Sequence, residues 1–167
     1  MKYNVRIASL NDIDELSILK KDIWESTYRG IYSNEIIDNY NYLEEANKFK
    51  NIINSNDKEI YIVENDKEIM GCISFGVNIH SFEDYTHEVN MLYIRKDYQG
   101  HGLGKLLFDI AYNSIKDKGI DKFFIGCNKY NESAKKFYEK MGGKIVFIDE
   151  DRKNKYFVQV KYCYNII

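Results

Sequence analysis

Apolar and polar residues alternate along this chain with two different periods. Tyr3 to Ala8 reads as a strand. After Asn11, which with Asp12 gives a capping signal, Ile13, Leu16, Leu19, Ile23, Trp24 and Thr27 recur at the spacing of one helix face. The segment Tyr28-Arg29-Gly30-Ile31-Tyr32 leads to Ser33, the N-cap of a second helical stretch that runs, with a break near Asn41, to about Ile53. The period then shortens. Ile60 to Val63 and Ile69 to Val77 read as strands joined by the hairpin turn Glu64-Asn65-Asp66-Lys67, and a third strand runs from His87 to Ile94. A glycine-rich turn follows. Beyond it Leu103, Leu106, Leu107, Ile110, Ala111 and Ile115 form the stripe of an amphipathic helix that Gly119 stops. Phe123-Phe124-Ile125 reads as a buried strand. Glu132 to Met141 reads as a helix with Ala134, Phe137, Tyr138 and Met141 on one face, ended by Gly142-Gly143. The chain closes with a strand from Ile145 to Ile148, a charged turn from Asp149 to Lys155 and an alternating strand from Tyr156 to Tyr164. Interleaved strands and helices ending in a hairpin predict a mixed-sheet α/β (α+β) domain with helices covering the sheet. With no repeat, linker or low-complexity block, residues 1–167 read as a single domain.

Composition narrows the function classes. A chain of 167 residues that is 44% hydrophobic and 30% charged folds rather than staying disordered. The net charge of -2 leaves no basic surplus for a phosphate backbone, so nucleic acid is not an expected partner. The 3 Cys, at 72, 127 and 163, are scattered and fit neither a disulfide framework nor a zinc knuckle. The 3 His (His80, His87, His101) lack ligand spacing, so no metal is expected. The N-terminal residues show no signal peptide, and no run approaches the roughly 20 apolar residues of a membrane span. A cytoplasmic protein without membrane contact is the expectation.

The chemistry concentrates in Gln99-Gly100-His101-Gly102-Leu103-Gly104-Lys105, between a strand and a helix. Glycines let backbone N–H groups approach a ligand, and a helix N-terminus favours a phosphate or pyrophosphate. A dinucleotide fingerprint fails, because the third glycine position holds Lys105 or Leu107. A P-loop fails too, with Gln99 for its first glycine and Leu106 for its hydroxyl residue. The pattern Gln/Arg-x-x-Gly-x-Gly/Ala is met by Gln99, Gly102 and Gly104.

From Glu88 to Leu107 the chain resembles the acetyl-CoA-binding signature of the GNAT superfamily of N-acetyltransferases. Asn131 to Gly142 is similar to that family's Asn-x-x-Ala-x-x-Phe-Tyr-x-x-x-Gly helix. The blocks have the expected order and, with the strand between them, span residues 88–142. Gly143 departs from the family, which usually carries Phe or another apolar residue there. The resemblance implies a mostly antiparallel seven-stranded sheet with helices on both faces, and acetyl-CoA as co-substrate. It implies that Leu92, Tyr93 and Ile94 pair with the pantetheine arm as an added strand would. The turn Gln99, Gly100, His101, Gly102, Leu103, Gly104, with Lys105, would wrap the pyrophosphate, and Asn131, beside Lys135, would contact the cofactor further along.

Tyr138 matches the family's catalytic phenol. With a phenol at about 10 and a thiol at about 8.5, a neutral tyrosine is suited to protonate a departing CoA thiolate. Glu88 matches a carboxylate carried on this strand by many members and is the candidate base; His87 and His101 are alternatives. Asn90, two residues on, is placed on the same face to position a water or the acceptor. No Cys sits where a nucleophile is expected, so direct transfer in a ternary complex is implied. Trp24-Glu25-Ser26-Thr27-Tyr28-Arg29-Gly30-Ile31-Tyr32 resembles a bacterial subgroup that includes spermidine/spermine acetyltransferases. Trp24, Tyr28 and Tyr32 are therefore the expected wall for a polyamine or other small cationic amine, with Glu35, Glu83 and Asp84 adding attraction. A protein N-terminus or lysine, an amino acid or an antibiotic stands as the alternative acceptor, and a non-catalytic acyl-CoA-binding sensor as the alternative to an enzyme. The terminal strand and its tyrosines leave a homodimer open.

Overall fold

The computed structural model describes residues 2–149 and 157–166. Seven strands form one sheet in the order β1-β2-β3-β4-β5-β7-β6: β1 Asn4–Ile7, β2 Lys58–Glu64, β3 Ile69–Phe82, β4 Tyr85–Ile94, β5 Lys122–Asn128, β6 Lys144–Asp149 and β7 Gln159–Asn165. Every pairing is antiparallel except β4 with β5. The helices are α1 Ile13–Ile23, α2 Asn34–Asp38, α3 Tyr42–Ile53, α4 Leu103–Asp117 and α5 Glu132–Lys140.

Helices cover both faces, as the resemblance implied. The apolar stripe of α4 (Leu103, Leu107, Ala111, Ile115) and Tyr138 of α5 pack on Ile73, Phe75 and Val89 of the sheet. On the other face Leu16, Leu19 and Ile23 of α1 and Phe49 of α3 pack on Ile60, Ile62 and Cys72. Ser33 and Asn41 cap α2 and α3, each side chain accepting a backbone N–H, which explains the break near Asn41.

Several boundaries differ from the pattern. The first helix begins at Ile13 after a 3-10 turn over Leu10–Asp12. Asp12 does not serve as its cap. It is buried, accepts from Ser9 N at 2.7 Å, and takes two bonds of 2.8 Å from the Arg6 guanidinium. After Ile23 the helix widens into a π-helical turn over Trp24–Tyr28, which the regular apolar spacing did not disclose. The hairpin strands β3 and β4 reach to Phe82 and back from Tyr85, beyond the apolar runs. The last strand starts at Gln159 rather than Tyr156. Tyr156, like most of the charged turn before it, lies outside the described residues.

Two irregularities of β4 matter for function. Its register with β3 slips, so that Ser74 faces Met91 while Phe75 faces Val89, leaving Asn90 as an inserted bulge residue. Its parallel pairing with β5 covers only Glu88 with Phe124 and Val89 with Ile125. From Asn90 to Ile94 the strand has β3 on one side and no described pairing on the other.

Candidate functional site

The gap left by the divergence of β4 from β5 is the mouth of a cleft of about 620 Å³. Leu92, Tyr93 and Ile94 form one side, and Gly126, Cys127 and Asn128 of β5 the other. At the α4 end lie Gln99, Gly100, Gly102, Gly104 and Lys105. Gly100 and Gly102 have φ of 78° and 84°, the left-handed region that a side chain disfavours, and a Cβ at either would meet nothing within 4 Å. Gly102 caps α4 with no side-chain oxygen, so among the described residues no cap side chain meets the first N–H groups of α4. Gln99 donates from Nε2 to the Ile94 carbonyl at 3.0 Å, tying the turn to the strand end. Open N–H groups and a helix terminus fit an anion, with Lys105, ion-paired to Asp109 at 2.5 Å, beside them; the edge of β4 that has no described partner fits an extended amide-bearing chain. A smaller hollow of about 260 Å³, beside Lys96 and Tyr130, shares Thr27, Gln99, Asn131 and Ser133 with the cleft.

At the floor of the cleft stands Tyr138, which is only 5% exposed. Burial, with Cys127, Tyr28, Tyr164 and Tyr93 nearby, holds its phenol well above the usual 10, so it is neutral. Among the described residues its hydroxyl has no hydrogen-bond partner. Burial likewise pushes the Cys127 thiol up to about 12, which leaves it protonated and a poor nucleophile at neutral pH. Asn131 lines the cleft, but its side-chain oxygen accepts from Ala134 N at 3.1 Å and caps α5. Tyr28, Tyr32 and Asn90 line the remaining wall of the cleft. Tyr28 and Tyr32 stack with centroids 4.9 Å apart, and Phe157 lies 5.5 Å from Tyr32. Burial raises the Tyr28 phenol to about 12, with the Asn131 amide beside it drawing the other way.

Several expected residues are not among the described residues that line the cleft. Glu88 is ion-paired to Lys58 at 3.2 Å. The bulge at Asn90 also breaks the alternation that would have put Asn90 on its face. His101 turns Nδ1 to the Gln99 carbonyl at 2.9 Å and is exposed, while Leu103 is core. Lys135 pairs with Glu132 at 2.7 Å, and Lys140, one turn on, lines the cleft instead. Trp24 stands behind the wall, packing on Tyr28, Tyr32 and Tyr40 with the Lys20 ammonium over its ring. Of the acids expected to attract a cation, Asp84 is ion-paired to Lys122, and neither Glu35 nor Glu83 lines the cleft. No Asp, Glu or His is among the described lining residues. Thr27, Cys127, Asn128, Lys140 and Gln159, which do line it, escaped the sequence reading. Asn128 and Gln159 are register partners at the strand ends beside the gap, so the divergence of β4 from β5 is the signal that exposes them.

A profile of the Acetyltransferase (GNAT) family matches residues 21–143. An uncharacterized N-acetyltransferase of Bacillus subtilis is 26% identical over 77% of this chain and 73% of its own. A spermidine N(1)-acetyltransferase of Thermoplasma acidophilum is 25% identical, covering 96% of this chain and 98% of that one. Among solved structures, PaiA N-acetyltransferase of Thermoplasma acidophilum, crystallised with coenzyme A, superposes with a TM-score of 0.79 at 24% identity over 99% of each chain.

Proposed function

The chain belongs to the GNAT acetyltransferase family, and from that premise we propose how its cleft moves the acetyl group of acetyl-CoA to a small primary amine. Transfer is direct, within a ternary complex, in a single cytoplasmic acetyltransferase domain. One observation carries the reading: the unpaired edge of β4, the open N-terminus of α4 and the buried phenol of Tyr138 all line one cleft.

The backbone of Leu92, Tyr93 and Ile94 pairs with the pantetheine arm, and the Gln99–Gly104 turn with Lys105 holds the diphosphate. Tyr138 faces the sulfur. A phenol held well above 10 is a weaker acid than a thiol in water at about 8.5. The same desolvation acts on a thiolate beside it, so the gap closes as the sulfur takes on charge in the cleft. Tyr138 donates its hydrogen bond to the sulfur and passes the proton as the bond to the acetyl carbon breaks. With Glu88 held by Lys58, the acceptor enters as its neutral amine; as its nitrogen bonds the acetyl carbon and the C–S bond breaks, the nitrogen sheds one proton to solvent water beside Asn90, and solvent returns a proton to the Tyr138 phenolate.

A polyamine is the leading acceptor. The Thermoplasma relative of matching length bears that activity in its name, and the Tyr28–Tyr32 wall offers rings and hydroxyls. With no carboxylate among the described lining residues, such a wall holds a polycation weakly, and KM for spermidine is expected at about 1 mM, the upper end of the usual range. The test follows CoA release from acetyl-CoA across a panel of amines with wild type and Tyr138→Phe. Release with spermidine, and a loss of kcat on the order of 10²-fold in the variant at unchanged acetyl-CoA affinity, is expected. Release with a peptide amine but not spermidine ends the polyamine reading; none with any amine ends the transferase reading.

A further inference from the structure

We propose that Tyr164 is a positioning residue for acetyl transfer: its hydroxyl, in space that Gly143 leaves open, locks the backbone of Tyr138 and so aims the phenol that serves the sulfur. This rests on the role given to Tyr138 above.

An acid that must meet the sulfur keeps its hydroxyl uncommitted, and the Tyr138 hydroxyl has no described partner. Its aim must then be set from the other end of the residue. There the Tyr138 carbonyl accepts two bonds. One comes from Gly143 N at 2.9 Å, which together with Gly142 N to the Glu139 carbonyl at 2.9 Å closes α5 in a Schellman turn, Gly142 taking φ of 89°. The second comes from the Tyr164 hydroxyl at 2.9 Å, across 26 residues of sequence and with both tyrosines buried.

Gly143 is required for space rather than for conformation. A Cβ there would lie 2.7 Å from the Tyr164 hydroxyl oxygen and 2.9 Å from the Tyr138 carbonyl oxygen. The departure at Gly143 from the family's usual apolar side chain thus has a counterpart: the aromatic ring beside the end of α5 arrives from β7 and brings a hydrogen-bond donor with it. Tyr164 is in turn fixed by stacking on Phe123 of β5, at 4.9 Å and 10°, and against Phe108 of α4 at 4.9 Å. The helix whose N-terminus faces the cofactor therefore also fixes the tyrosine that holds the acid. A displacement of about 1 Å at the reacting centre costs on the order of 10²-fold in rate, so a lock of this kind has kinetic weight.

Tyr164→Phe keeps the ring and removes the donor. Its kcat is expected to fall on the order of tenfold, with KM for acetyl-CoA within about twofold of wild type. In a Tyr138→Phe background the same change should cost nothing further, because the residue acts through Tyr138. Gly143→Ala, which drives the hydroxyl off the carbonyl, should reproduce the loss and carries the same cycle if Tyr164→Phe does not fold. Wild-type kcat in folded Tyr164→Phe or Gly143→Ala, or an equal loss in both backgrounds, overturns the inference and leaves Tyr138 as the acid. Wild-type kcat in Tyr138→Phe itself overturns the role of Tyr138 and this inference with it.

Discussion

At the scale of single residues, burial decides which groups are chemically available. Tyr138 and Cys127 are both pushed upward and stay neutral. Asp12 goes the other way. Two bonds from Arg6, aided by Ser9, lower its carboxyl from 3.8 to about 2 against the cost of burial. A carboxylate depressed in the folded state stabilises the fold above its unfolded pKa, and that contribution is lost as pH falls through the folded value. Arg6 is partly exposed, so the pair is worth about 1–2 kcal/mol after screening. Asp12→Asn should lower the melting temperature by several degrees at pH 7 and by almost nothing at pH 2. An equal difference at both pH values would mean the carboxylate contributes through shape alone. The sequence showed Asp12 only as part of a capping signal ahead of a helix; its partner Arg6 sits on β1, and no local pattern joins them.

At the scale of elements, the contrast between Gly102 and Gly104 separates conformation from contact. Gly102 takes a left-handed φ in open space, whereas a Cβ on Gly104 would meet the Phe137 ring at 3.4 Å. Gly102→Val should strain the turn ahead of α4 and crowd the approach to its N–H groups. Acetyl-CoA KM is expected to rise on the order of tenfold or more with a smaller change in kcat, read from initial rates at saturating amine. If kcat falls instead while KM holds, the turn does not bind the co-substrate. The two motif helices and the turn were legible because caps, glycines and apolar stripes act within a few residues of chain. The bulge at Asn90, the ion pair that withdraws Glu88 and the π-helical turn after Ile23 arise from pairing and packing between distant segments, and Trp24 looked like a wall residue for the same reason.

At the scale of the whole molecule, the sheet is two unequal halves, β1 to β4 and β5 to β7, meeting where β4 pairs with β5 over two residues on each strand. A ligand that binds only the folded form stabilises it by about 2.7 kcal/mol at 100 times its dissociation constant. Coenzyme A should therefore raise the melting temperature by several degrees, with slowed amide exchange concentrated at residues 90–94 and 126–128. Stabilisation without protection there would place the ligand elsewhere.

The short parallel contact between the halves has a mechanical meaning as well. It is the suture of the molecule, closed by two stitches and left open beyond them, and a thioester seated as proposed would complete the seam along its own length.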